Sequence, residues 1–162
     1  MSISTLETVR DPRSLLTTDE FEGVVATVLD NNTGMAPADA QRIVDEALKF
    51  VATGAEFPGG MRPSRTVDEG WHALILHTLV YQGLCRRLGR FVHHVPERPD
   101  PTRHDPTALE RTQARIEQAG FSVDRTLWLG PSTGSVPVSA SCEHTSCGDA
   151  NCQMTCRDDH PN

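Results

Sequence analysis

No run of apolar residues in this chain approaches the roughly 20 that cross a bilayer as a helix. The opening, MSISTLETVRDPRSLL, places polar and acidic residues where a secretory leader needs an apolar stretch. An excess of positive charge is missing as well. With 22 acidic against 15 basic residues the formal charge is −7, which repels phosphate backbones and anionic lipid alike, so nucleic acid and membrane are poor partners. There is no Gly-rich phosphate loop, no nucleophile elbow and no pair of carboxylates placed for acid–base work. Nothing therefore argues positively for an enzyme. Internal repeats are absent. The expectation is a cytoplasmic protein whose partner, protein or small molecule, the sequence does not name.

What is present suffices for one modest domain: 162 residues, 37% of them hydrophobic. The patterning predicts an all-α fold, a small irregular bundle of four to five helices over residues 18–129, between a loose arm (1–17) and a disordered tail (130–162). Phe21, Val24, Val25, Val28 and Leu29 fall on one face of a helix from about Asp19 to Asp30, with Thr18 or Asp19 as its N-cap. A second helix starts near Pro37, a residue suited to a first helical turn, and runs through Ile43, Val44, Ala47, Leu48 and Val51 to Gly54. The stretch 56–64, rich in Pro and Gly, is a tight linker. Thr66 and Glu69 then have the spacing of a capping box, and from Trp71 to Leu88 apolar residues occur on nearly every side, as in a helix buried at the centre of a domain. Gly89 suits a C-cap. A polar helix follows from about Thr107 to Ala119, and Phe121, Val123, Leu127, Trp128 and Leu129 are apolar anchors for the last ordered segment.

The most unusual passage runs from Val67-Asp68-Glu69-Gly70-Trp71-His72 through Tyr81 and Cys85 to Gly89-Arg90-Phe91-Val92-His93-His94, and it holds four of the seven histidines, counting His77. A carboxylate and an imidazole four residues apart on a helix project together and can grip one ion, provided that a third ligand arrives from elsewhere. His93 or His94 is the candidate. On an unbroken helix, however, His72 lies roughly 24 Å from Leu88. The residues back to His93 span at most about 16 Å. The ligands meet only if the helix breaks near His77-Thr78, with Thr78 capping a second helix that folds back. Without the break the cluster becomes Cys85 with His93, His94 and His77.

The order Asp68, Trp71, His72, Tyr81, Cys85, Gly89, Arg90, His93 and His94 resembles that of the glycine-rich domain-containing protein-like family, a likeness that extends loosely over Ala38 to Trp128. It implies a helical fold with a polar cluster, and no particular reaction. That family often has a proline at or beside the position of Thr78, which implies the helix break; this chain lacks it. Plant members tend to carry a second histidine where Leu74 stands here.

Plainer readings stand beside these. Trp71, Ile75, Leu79 and Tyr81 at helical spacing read as core. Asp68 can be a carboxylate stabilised by the helix dipole, and His72 a satisfied core histidine. Cys85 inside an apolar helix reads first as a buried, inert thiol and only second as a ligand or nucleophile. His77 and His104 have no evident partner.

The tail carries Cys142, His144, Cys147, Cys152, Cys156 and His160, with gaps of four, four and three residues between its successive cysteines. Such a segment can wrap a soft ion, although its spacing is not that of common zinc knuckles. It can equally be an unstructured tail with incidental thiols or a segment that forms disulfides, and, less readily, the substrate of a modifying partner. The leading expectation is a helical metal-binding protein with a bundle site of Asp68, His72 and His93 or His94 and a soft-metal site in the tail. The ligand types favour zinc, with iron and copper also served. The competing expectation is a metal-free interaction module in which the Asp–His pair is structural.

Overall fold

The computed structural model describes residues 9–96, 105–129, 138 and 152–155. Within them the chain is an irregular helical bundle of five α-helices: α1 (Thr18–Asn31), α2 (Pro37–Glu56), α3 (Arg65–Leu76), α4 (Thr78–Leu88) and α5 (Ala108–Gln118). Two 3-10 turns, Pro12–Leu15 and Arg125–Trp128, flank the bundle. Strand β1 (His93–Pro96) pairs antiparallel with β2 (Cys152–Thr155), His94 standing opposite Met154. No helix among the described residues is long and apolar enough to cross a membrane.

The apolar faces expected of α1 and α2 are the ones that pack. Phe21, Val24, Val25 and Val28 of α1 are buried, as are Ile43, Val44, Ala47, Leu48 and Val51 of α2. The cap of α1 lies one residue before the expected Thr18 or Asp19. Thr17 Oγ1 accepts from the Glu20 amide while the Glu20 carboxylate accepts from the Thr17 amide, a reciprocal pair that satisfies two helix-end donors.

α2 is the central helix, and α3 is its most extensive partner. Gly70 makes that packing close. A Cβ there would stand 2.8 Å from the Ile43 carbonyl oxygen and 2.9 Å from Ala47 Cβ, so the two backbones approach at the one residue that offers no side chain. Around the crossing, Phe50 meets the Trp71 ring edge-on at 5.1 Å and lies 6.3 Å from Trp128.

Three expectations are corrected. Residues 9–17 are not a loose arm: the Arg10 amide donates to Gly120 O (2.9 Å), Leu16 is buried and the Arg13 guanidinium forks onto Asp45 of α2 at 2.9 Å per bond. Polar composition concealed the apolar anchors Leu15 and Leu16. The cap of α3 is Ser64, whose Oγ accepts from the Val67 amide (3.1 Å) and donates to Leu127 O (2.6 Å). Thr66 lies inside the helix, and Glu69 is buried, accepting from Asn32 Nδ2 at 2.9 Å. Finally, the rod from Trp71 to Leu88 is not buried throughout. Leu76 is 67% and Leu79 84% exposed, because the chain breaks between them and turns that side to solvent.

A buried charge ties the second 3-10 turn to α2. Glu46 Oε1 accepts from Lys49 Nζ (2.5 Å) and from the Asp124 amide (3.1 Å), and Oε2 accepts from Trp128 Nε1 (2.7 Å). Three donors on two oxygens offset the desolvation of a carboxylate that is buried almost completely.

Candidate metal centre

The helix break falls where the distance argument requires it. His77 has φ −85° and ψ 68° and serves as the last cap of α3 and the first of α4. Its amide donates to Leu74 O (3.2 Å) and its carbonyl accepts from the Tyr81 amide (2.9 Å), so one helix closes and the next opens on the same residue. Thr78 is the first residue of α4 rather than its cap, and no side chain caps that end. The His77 ring is pinned from α1 by a 2.7 Å hydrogen bond between Nε2 and Thr27 Oγ1. That contact, between residues fifty positions apart, carried no local signal.

After α4 the chain reverses at Gly89, whose φ of 80° is the left-handed cap geometry. The Arg90 amide returns to Cys85 O at 3.2 Å. Val92 is buried, and β1 begins immediately after it. Successive residues of a strand face opposite sides, so only one of the paired histidines can join the helix ligands. It is His94. Its Nε2 lies 3.1 Å from Asp68 Oδ1, and its ring is 4.5 Å from that of His72. His72 Nε2 is 3.6 Å from Asp68 Oδ2, as the spacing of four on α3 implies. One ligand atom from each of Asp68, His72 and His94 can be chosen so that all lie within 4.8 Å of one another.

The three side chains differ in access. Asp68 is 4%, His94 10% and His72 38% exposed, so water reaches the group from the His72 side. Two ligands bound at about 2.0–2.1 Å to a tetrahedral ion stand about 3.3 Å apart. The 3.1 and 3.6 Å separations, each to a different oxygen of Asp68, bracket that edge, while the three ligand atoms together lie only within 4.8 Å of one another, so the side chains must draw together to hold an ion. One carboxylate among two imidazoles is also a donor set that transition metals accept.

The remaining candidates lie elsewhere. His93 packs tilted beside Phe91 with ring centroids 4.6 Å apart, outside the group. Cys85 is buried in the core between α4 and its neighbours and does not join it. Cys142, Cys147 and Cys156 lie outside the described residues, and Cys152 stands in β2 opposite Pro96. Trp71 and Tyr81, read as core, are buried and also bonded: Trp71 Nε1 donates to Tyr81 Oη (2.9 Å), which donates to Val92 O (2.5 Å).

No curated protein and no solved structure matches the chain. A family model described as UCP032817-like matches residues 13–114, a span that holds Asp68, His72 and His94 together with the break that joins them. Since the match covers more than half of the chain, the protein belongs to the UCP032817-like family.

Proposed function

We propose that this chain binds one divalent transition-metal ion through Asp68, His72 and His94. The observation that carries the reading is convergence: α3 supplies two of the ligands, and a strand more than twenty residues later returns to supply the third, all within 4.8 Å. Two imidazoles and a carboxylate suit zinc, and the same set serves iron(II) and copper. Three protein ligands leave a coordination position for water. The resemblance to glycine-rich domain-containing protein-like proteins, which rests partly on these same residues, is in keeping with this reading. In the same proposal the tail cysteines Cys142, Cys147, Cys152 and Cys156 form a separate soft-metal site.

A second reading is favoured by the 3.1 Å approach of His94 Nε2 to Asp68 Oδ1. It makes this pair a structural hydrogen bond in an interaction module that holds no metal, with the tail as tether. Metal analysis of protein purified without an affinity tag separates the two readings, on wild type, His72→Ala and a chain ended at Gly130. The expected result is bound metal in wild type, loss of the bundle's share in His72→Ala, and loss of only the tail's share in the shortened chain. Metal absent from wild type, or unchanged by both alterations, leaves the second reading standing.

A further inference from the structure

We infer that Tyr81 and Trp71 form a clamp that sets where His94 arrives, and are therefore positioning residues for the metal centre; the inference rests on the metal-binding reading above. The argument starts from the chain path. Between the end of α4 at Leu88 and the first residue of β1 at His93 there are only four residues, one of them the left-handed Gly89. A segment so short has few contacts with which to fix its own register. A core side chain holds the Val92 carbonyl of this segment, which accepts from Tyr81 Oη at 2.5 Å.

That bond lies two residues before His94. In extended chain, residues i and i+2 face the same side, and each residue advances the chain by about 3.3 Å. Anchoring Val92, which is buried, therefore directs His94 to the Asp68 side of the strand and His93 to the opposite side, against Phe91. Tyr81 Oη is fixed in turn by the Trp71 Nε1–H at 2.9 Å. Trp71 stands on α3 between Asp68 and His72, and its ring lies 4.5 Å from the His94 ring. One indole thus touches the incoming ligand directly and holds the hydroxyl that aims it.

Tyr81→Phe in the full chain removes the hydroxyl and keeps the ring that packs edge-on against Phe91 at 5.5 Å. Cobalt(II) titration followed by visible absorption reads the affinity, and circular dichroism checks the fold. Loss of a partner that orients a ligand is expected to weaken binding by about 10- to 100-fold. The discriminating measurement is the double-mutant cycle: with His94→Ala already present, Tyr81→Phe should have less than about a twofold further effect, because the ligand it aims is gone. Unchanged affinity in Tyr81→Phe, or the same loss with and without His94, overturns the clamp and makes the tyrosine an ordinary core residue. Trp71→Phe, which removes the donor to Tyr81, repeats the cycle if Tyr81→Phe does not fold.

Should wild type take up no cobalt, the metal reading has failed, and the clamp is read from the His94 imidazole in NMR. Nuclear Overhauser contacts between the His94 and Trp71 rings, whose centroids lie 4.5 Å apart, should weaken in Tyr81→Phe as the imidazole loses its aim. Unchanged ring contacts sink the clamp on its own terms.

Discussion

Removing the Glu46 carboxylate leaves the Lys49 ammonium, the Trp128 indole N–H and the Asp124 amide without their acceptor. Breaking a buried ion pair from one side costs about 3–5 kcal/mol. Glu46→Ala is therefore expected to lower the unfolding free energy read from denaturant titration by an amount in that range, and a change under about 1 kcal/mol would place Glu46 among ordinary surface charges. Little in the sequence announces this residue. Beside Asp45 and four residues before Phe50 it looks like one more polar helical position, and its partner Trp128 is 82 positions away. At the candidate metal centre the same scale decides between neighbours: His94→Ala should weaken cobalt(II) binding at the bundle more than Tyr81→Phe does, whereas His93→Ala, directed against a ring that packs tilted beside Phe91, should leave it intact. The cobalt(II) affinities of the two proteins check this, and the reverse order would refute the assignment of His94. The sequence could name the pair but not choose between its members, because the choice depends on how many residues the turn after α4 consumes.

The contact between α2 and α3 depends on the absent side chain of Gly70. Alanine is the better helix former by about 1 kcal/mol, but its Cβ would meet a backbone oxygen at 2.8 Å. Overpacking of this kind costs about 1–3 kcal/mol. Since a carbonyl in mid-helix has little freedom to yield, Gly70→Ala should destabilise despite its propensity, with a lower thermal midpoint as the readout. The opposite holds for Leu79. Its apolar character and helical spacing suggest core, yet 84% of it faces solvent, so Leu79→Ser should stay within about 0.5 kcal/mol of wild type. The five helices were legible because periodicity is a local property. The break was legible only as a condition that the ligands imposed, since no proline or glycine marks it; its cause includes the Thr27–His77 bond, which belongs to the tertiary structure. The strand pairing of β1 with β2 had no warning in the composition of the tail.

Acid response belongs to the molecule as a whole. Burial raises the Asp124 carboxyl, but hydrogen bonds from Arg42 and Thr126, with the charge of Arg42, outweigh it and hold the group below the ordinary carboxylate range. Asp105, bonded by Arg111 and Thr107, is held down to about 2. A carboxylate depressed by folding stabilises the native state above its unfolded value and loses that contribution as pH falls through its folded one. These two groups therefore add nothing to pH sensitivity near neutrality; the contribution of Asp105 fades between about pH 4 and 2, and that of Asp124 as pH falls below about 4. Urea midpoints across that window should decline less steeply in Asp124→Asn than in wild type, and an equal slope would remove this carboxylate from the account.

The pairing of identical residues at His93 and His94 has a consequence for variation. Alternation along β1 turns one imidazole toward Asp68 and the other toward Phe91. If the preceding turn were lengthened by one residue, His93 would stand where His94 now stands. The same chemical group would still be offered to Asp68 and His72. A tandem of this kind lets the connecting loop gain a residue without withdrawing the nitrogen from the cluster.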